Sequence, residues 1–179
     1  MAQNIADIVA PELLALKKNW LVWRYEHLAG EAKARKIPYY ASGRRRFGVQ
    51  GSKADRAQLT DFEASKLVAV GKGFDGVGLA MLDGDITALD FDGCIYDGVI
   101  DSDIENLLAG CYAEISPSGK GVRAFVLGNL GNAKNHGDSD LISGIGFECF
   151  ATKGFVTFTG QVTELTELTE SYEVVPVPA

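Results

Sequence analysis

The chain has 179 residues, of which 24 are acidic and 17 basic, and its formal net charge is −7. The contents of hydrophobic (46%) and charged (23%) residues are close to globular averages, which excludes a wholly disordered chain and indicates one domain with a core. The apolar runs are far shorter than a membrane span, so we expect no membrane partner. The first residues lack the basic start of a signal peptide, and the three cysteines form no CxxC pair, so we expect a cytoplasmic protein.

Apolar spacing and β-forming residues predict a mixed order of helices and strands. Helices are predicted over residues 4–18, 60–70 and 102–108. Strands are predicted over residues 20–25, 36–40, 76–81, 86–91, 112–115, 122–127, 146–150 and 155–159. Asp83-Gly84 is a typical hairpin turn, so we expect the strands on either side of it to pair. The pattern predicts an α+β fold, with residues 1–160 as the domain and residues 161–179 as an acidic tail or linker.

The net charge conceals an asymmetry between the two parts of the sequence. Residues 1–74 hold 13 basic and 7 acidic residues, a net charge of +6, whereas residues 75–179 hold 4 and 17, a net charge of −13. The positive charge is concentrated in a segment with glycines and serines that includes Lys36, Arg44, Arg45 and Arg46. A basic loop with aromatic neighbours suits the phosphates and bases of DNA. The alternative is an ordinary solvated surface loop.

Asp90 and Asp92 are the sharpest chemical feature of the sequence. In a strand they point to the same side, while Leu89 and Phe91 point to the other side, into the core. Neighbouring carboxylates repel each other unless a cation or a shared proton compensates, and oxygen ligands suit Mg²⁺ or Mn²⁺. The alternative is a strand end at which the two aspartates begin a loop or cap a turn. Glu148, in a later strand, is a third candidate ligand if it faces the same site.

The segment Ser116-Pro117-Ser118-Gly119-Lys120-Gly121 joins two predicted strands. Backbone N–H groups in a glycine-rich loop approach phosphate closely, and Ser and Lys add donors and charge. The loop lacks the glycine spacing of a Walker A loop and the Ser or Thr that follows its Lys. Arg123, two residues beyond the loop, offers a guanidinium fork for phosphate. The alternative is an ordinary turn with a solvated lysine.

In this order the motifs resemble the catalytic domain of the archaeo-eukaryotic primase superfamily, in particular the primase-polymerase domains of phage and plasmid replication proteins. The resemblance covers roughly residues 18–160. Its elements, in chain order, are Trp20 and Trp23, Lys36 and Pro38, Gly76 and Gly78, Asp90 and Asp92, residues 114–121, Phe147-Glu148-Cys149, and Thr157-Phe158-Thr159-Gly160.

The resemblance implies an α+β core in which an RRM-like sheet carries the acidic site. It implies that the catalytic and metal-binding residues, for Mg²⁺ or Mn²⁺, are Asp90, Asp92 and Glu148. The nucleotide-binding residues are predicted to be Ser116, Ser118, Gly119, Lys120 and Arg123. The predicted DNA-binding residues are Lys36, Arg44, Arg45 and Arg46. The expected partners are a single-stranded DNA template, NTPs or dNTPs, and a helicase domain or another replication protein.

Arg123 departs from the pattern, because many superfamily members carry a His at the equivalent position. An arginine stays protonated at working pH, so Arg123 suits phosphate binding but cannot act as a proton carrier. The departure supports an alternative function, a catalytically weak or inactive module of the same fold that binds nucleic acid or nucleotide. A generic α+β domain, with neither metal binding nor salt-sensitive DNA binding, is a further alternative.

Overall fold

A computed structural model of the chain describes residues 4–135 and 145–163. The α-helices of these residues are α1 Glu12–Ala15, α2 Lys53–Arg56, α3 Phe62–Lys72 and α4 Ser102–Leu108. The strands are β1 Trp20–Glu26, β2 Arg35–Tyr39, β3 Gly76–Ala80, β4 Ile86–Asp92, β5 Ile95–Tyr96, β6 Val99–Ile100, β7 Tyr112–Ile115, β8 Val122–Leu127, β9 Ala133–Asn135, β10 Gly146–Phe150 and β11 Phe155–Phe158. Among the helices of these two ranges, none has the length and apolar character needed to cross a membrane.

Two antiparallel sheets organise the described part of the chain. A four-stranded sheet has the order β11-β3-β1-β2, and a five-stranded sheet has the order β7-β8-β4-β10-β9. The short strands β5 and β6 form a separate hairpin after β4. This arrangement of antiparallel sheets with helices confirms the predicted α+β class.

Two apolar clusters cover different sides of the five-stranded sheet. The larger cluster joins it to the four-stranded sheet, where the rings of Tyr112 and Phe158 stack with centroids 6.0 Å apart. The second cluster packs α4 against Leu89 and Phe91 of β4. Since side chains alternate along a strand, Asp90 points away from this second cluster, as the sequence predicts.

The helix predicted over residues 4–18 is wrong in extent. The structure has a 3-10 turn at Ile5–Asp7 and the single-turn helix α1, separated by extended backbone at Ile8. Pro11 prevents a continuous helix, because its ring would clash with the carbonyl of Asp7 and disfavours helical backbone at Ala10. Here the apolar spacing reflects burial of Ile8 and Leu14 from two short elements.

The predicted hairpin of residues 76–81 and 86–91 is also wrong. β3 pairs with β1 and β11, whereas β4 pairs with β8 and β10 in the other sheet. The intervening turn is held by contacts outside it: Asp83 accepts hydrogen bonds from Asn19 (2.6 Å) and Arg56 (2.8 Å). The turn therefore carries the chain from one sheet to the other.

Residues 161–163 contact the strand β7. The N–H of Ile115 donates to the carbonyl of Gln161 (2.8 Å), and the N–H of Thr163 donates to the carbonyl of Ala113 (3.0 Å). Residues 161–163, which the sequence assigns to the tail, thus extend along β7. Residues 164–179 of the predicted tail lie outside the described residues.

Arg46 and Asp55 form a buried ion pair beneath the basic loop. The Nε and Nη2 of Arg46 donate to the Asp55 carboxylate at 2.9 and 2.7 Å, and both side chains are only 2% exposed. Asp55 also accepts hydrogen bonds from the Tyr40 hydroxyl (2.9 Å) and the Gly51 N–H (2.7 Å). This corrects the expectation for Arg46: its guanidinium is neutralised inside the domain and is not part of an exposed DNA-binding surface.

We expect this ion pair to make stability sensitive to acid. Burial by itself raises the pKa of Asp55, but hydrogen bonds from Arg46, Gly51 and Tyr40 outweigh it and lower the pKa from 3.8 to about 2. A carboxyl with a lowered pKa stabilises the fold above its unfolded-state pKa, and this stabilisation is lost as the pH falls through the folded-state value. The free energy of unfolding should therefore fall by about 2 kcal/mol between about pH 4 and pH 2 through this group.

Urea unfolding of wild type and Asp55→Asn across that pH range measures the effect. The variant leaves Arg46 buried without its counter-charge, so we expect it to lose about 3 kcal/mol or more at neutral pH and to lack this acid-dependent loss. Asp103→Asn, at an exposed position on α4, is the matched control. Parallel pH profiles for wild type and Asp55→Asn would contradict the assignment.

Candidate functional site

Charged side chains form a row across the five-stranded sheet. Glu148 on β10 lies opposite Asp90 on β4. Asp90 in turn lies opposite Arg123 on β8, and Arg123 lies opposite Glu114 on β7. Opposed residues on antiparallel strands have Cβ atoms about 5 Å apart, so the register alone brings these groups together. Asp90 therefore lies between an acidic and a basic neighbour.

Arg123 connects the two sheets at this row. Its Nη2 donates to Oδ2 of Asp90 at 2.7 Å, and its Nη1 donates to the carbonyl and the hydroxyl of Thr157 on β11, both at 2.6 Å. The Arg123 side chain is 3% exposed and that of Asp90 is 15% exposed. Both Nη atoms are thus committed within the protein, so Arg123 orients Asp90 and does not project toward solvent.

Lys36 approaches the same carboxylates from β2 of the four-stranded sheet. The pKa of Lys36 is lowered, because burial and the Arg123 charge outweigh the charges of the carboxylates, which raise it. Partial desolvation raises the pKa of Asp92, although the residue is exposed, and the negative charges of Asp90 and Glu148 add to this rise. These couplings place Lys36, Asp90, Asp92, Arg123 and Glu148 in one electrostatic cluster, which we call the acidic cluster.

The glycine-rich loop, residues 116–121, lies against the end of β4. A Cβ atom at Gly121 would lie 2.4 Å from the carbonyl oxygen of Phe91 and 3.4 Å from Cα of Asp92, so only glycine fits there. The loop is internally ordered, since the Ser116 N–H donates to the Gly121 carbonyl (2.8 Å) and the hydroxyls of Ser116 and Ser118 lie 3.0 Å apart. The loop therefore stands beside Asp92 with a defined shape.

A cavity of about 480 Å³ opens between the glycine-rich loop and the four-stranded sheet. Trp23 and Tyr25 of β1 line one side, with their rings edge to face at 5.0 Å, and residues 116–119 line the other. Gly76 of β3 allows the Trp23 ring to pack closely against that strand, because a Cβ atom at Gly76 would lie 2.7 Å from Nε1 of Trp23. Tyr25 pairs with Lys36 across β1 and β2, so the cavity adjoins the acidic cluster. Its volume is in the range of small-molecule sites.

Glu114 is a buried acid that the sequence places in a motif but gives no role. The residue is fully buried, and its carboxylate accepts hydrogen bonds from the backbone N–H groups of Thr159 (3.0 Å) and Gly160 (2.9 Å). It therefore clamps the turn after β11, and Thr159 of that turn lines the cavity. A glutamate two residues after Tyr112 in a short apolar strand was the available signal.

The structure brings most of the predicted residues to this region. Asp90, Asp92, Glu148, Lys36 and Arg123 belong to the acidic cluster. Ser116, Ser118 and Gly119 line the cavity, and Lys120 is exposed in the same loop. Arg44 and Arg45 are exposed beyond the edge strand β2, whereas Arg46 is buried.

The fit of a metal ion depends on the donor atoms. Within residues 4–135 and 145–163, no three His, Cys, Asp or Glu side chains are grouped so that they could hold a metal ion. Oδ1 of Asp90 is nevertheless buried and finds no hydrogen-bond partner among those residues. Carboxylate oxygens are the ligands preferred by Mg²⁺ and Mn²⁺, so the donor chemistry of Asp90 and Asp92 fits such an ion. In this arrangement Lys36 and Arg123 supply the compensating positive charge.

No known family model matches the sequence, and no curated protein matches it.

We expect Glu114 to make stability depend on pH in the opposite sense to Asp55. Burial raises the pKa of Glu114 from 4.5 to about 7, against the lowering effects of the Arg123 charge and of the backbone donors. A carboxyl with a raised pKa contributes its stabilisation fully below its unfolded-state pKa and loses it as the pH rises through the folded-state value. The free energy of unfolding should fall by roughly 3 kcal/mol between about pH 4.5 and pH 7 through this group.

Denaturant unfolding of Glu114→Gln over this pH range checks the expectation. The neutral amide does not ionise, so the variant should show a flatter profile than wild type between pH 4.5 and 7. Glu105→Gln, at an exposed position on α4, should follow the wild-type profile. A Glu114→Gln profile with the wild-type slope would show that Glu114 is ionised throughout.

Proposed function

We propose that the chain is a metal-dependent DNA primase-polymerase domain. It would join NTPs or dNTPs on a single-stranded DNA template, to make or extend primers in phage or plasmid replication. The observation that carries the proposal is that residues from motifs far apart in the sequence come together in or beside the acidic cluster. Asp90 and Asp92, Glu148, Lys36 and the glycine-rich loop come from separate elements and lie in or beside the acidic cluster.

In this proposal the five-stranded sheet is the RRM-like sheet of the superfamily. The sheet presents Asp90, Asp92 and Glu148 on adjacent strands, and β2 of the other sheet supplies Lys36. The domain would act on DNA in the cytoplasm, next to a helicase domain or another replication protein.

The residues divide into groups with different tasks. Asp90 and Asp92 would hold Mg²⁺ or Mn²⁺, with Glu148 on the neighbouring strand as the proposed third ligand, and the ion when bound supplies positive charge to the reacting phosphate and the primer 3′-hydroxyl. The 3′-oxygen forms a bond to the α-phosphorus of the nucleotide, the bond to pyrophosphate breaks, and the hydroxyl proton passes to solvent. The glycine-rich loop would bind the triphosphate through backbone N–H groups, Ser118 and Lys120.

Arg123 and Lys36 would set the electrostatics of this site. Arg123 fixes the orientation of Asp90 through its ion pair and its bonds to Thr157. Lys36 adds a positive charge from β2 of the four-stranded sheet, beside the carboxylates. Lys120, exposed in the glycine-rich loop, adds a second positive charge for the triphosphate.

Primer synthesis on single-stranded DNA, with labelled nucleotides and Mg²⁺ or Mn²⁺, tests the proposal. Asp92→Asn changes an exposed carboxyl without breaking the Asp90–Arg123 pair, so the fold should be retained. We expect it to lower the rate by at least about 100-fold, the usual effect of removing one group that stabilises transition-state charge. Asp103→Asn should keep the wild-type rate. Product formation that survives Asp92→Asn would refute the site assignment.

The ion pair between Arg123 and Asp90 favours a second function, a non-catalytic module that binds nucleotide or nucleic acid. An internal cation already neutralises Asp90 at 2.7 Å, and a divalent ion there would have to compete with it. Titration with Mn²⁺, followed by electron paramagnetic resonance, separates the two functions. The enzyme binds Mn²⁺, and Asp92→Asn weakens this binding, whereas the non-catalytic module binds DNA but neither binds Mn²⁺ nor makes product.

A further inference from the structure

The basic loop is a rigid element whose backbone returns along β2. The N–H of Tyr40 donates to the carbonyl of Arg44, and the N–H of Arg46 donates to the carbonyl of Pro38, both at 2.9 Å. Tyr39 and Arg45 form a β-bridge between these bonds. The segment thus adds a short strand-like edge to the four-stranded sheet.

One buried ion pair and one exposed hydrogen bond fix the loop. In the loop, residues 40–54, the Arg46–Asp55 pair connects Arg46 to α2, and the side chain of Gln50 accepts a hydrogen bond from the N–H of Gly154 at 2.9 Å. The backbone of the loop is therefore held at Arg46 and at Gln50. The side chains that the loop exposes are presented from this fixed backbone.

The exposed side chains of this loop are aromatic, apolar and basic. Phe47 is 71% exposed and Val49 is 77% exposed. The guanidinium of Arg44 lies 5.9 Å from the centre of the Phe47 ring. Arg45 and Lys53 are also exposed, and residues 40–54 contain no acidic residue. The guanidinium of Arg45 lies 3.9 Å from the carboxylate of Glu26. An exposed ring flanked by cations on a fixed loop offers a surface for a planar, anionic partner.

We propose that Phe47 is a stacking platform for a base of single-stranded nucleic acid, with Arg44, Arg45 and Lys53 contacting its phosphates. Base stacking on an aromatic ring combined with a basic backbone track is the usual chemistry of single-strand binding. The buried Arg46–Asp55 pair acts through the loop, as the contact that positions this platform.

The loop that carries the platform pairs with β2, the strand that contains Lys36. Tyr39, the bridge partner of Arg45, is three residues from Lys36 on β2, a distance of about 10 Å along a strand. The loop therefore lies within the span of a few nucleotides of Lys36, although Tyr39 and Lys36 face opposite sides of the sheet. The inference relies on the proposed function only for describing the bound single strand as a template, since binding itself needs neither metal nor nucleotide.

Fluorescence anisotropy with a labelled oligothymidine of roughly 20 nucleotides tests the platform without metal or nucleotide. We expect Phe47→Ala to weaken binding about 5- to 100-fold, the effect of losing one stacked base. Val49→Ala, a change at an equally exposed residue without a ring, should keep the wild-type affinity. Arg44→Ala should lower the slope of log affinity against log salt by about 0.7 for a lost phosphate contact, whereas Phe47→Ala should leave the slope unchanged.

A second variant reads the stacking directly. Trp20 and Trp23 are buried, so Phe47→Trp adds an exposed indole whose fluorescence should be quenched by the oligonucleotide. Equal affinity of wild type and Phe47→Ala, or no quenching in Phe47→Trp, would overturn the proposal. Equal affinity for single-stranded and duplex DNA would do so as well, because paired bases are not free to stack. If the wild-type protein makes no primer but binds the oligonucleotide in a way that depends on Phe47, the result contradicts only the proposed function.

Discussion

The buried guanidinium of Arg123 is the contact on which the geometry of the candidate site depends. It joins Asp90 of the five-stranded sheet to Thr157 of the four-stranded sheet, with three hydrogen bonds of 2.6 to 2.7 Å. Removing one partner of such a pair leaves a buried charge without compensation, which is strongly destabilising. The position of the carboxylates relative to Lys36 is therefore set by an ion pair and not by apolar packing alone.

A second buried arginine, Arg46, has a comparable structural role near the end of β2 that leads into the basic loop. Arg46 is neutralised by Asp55 and fixes the loop that carries Arg44, Arg45 and Phe47. The chain thus uses two arginines as internal anchors and leaves their sequence neighbours to face solvent. This arrangement explains how a protein of net charge −7 presents a basic surface beside an acidic one.

Local patterns in the sequence predict most of the strands and the α+β class, because alternation and β-forming residues are properties of single segments. They do not predict strand partners: Asp83-Gly84 has the composition of a hairpin turn, yet its flanking strands enter different sheets. The sequence reveals the acidic motif because aspartates are rare in strands, and it reveals the glycine-rich loop because glycines and serines cluster between two predicted strands. Arg46 is buried through its pair with Asp55, which is 9 positions away in the sequence. Glu114 accepts hydrogen bonds from Thr159 and Gly160, which are at least 45 positions away. No local sequence pattern reveals such contacts.

The long separations within the acidic cluster have a consequence for how the protein is made. Arg123 lies 33 residues after Asp90 and 34 residues before Thr157 in the sequence. In the four-stranded sheet, β11 pairs with β3 and is synthesised after the other three strands. Synthesis proceeds from the N-terminus, and contacts between distant segments form slowly. A nascent chain that ends before β11 exposes Arg123 and the edge of β3, so the site closes only after β11, the last of the described strands, has been synthesised.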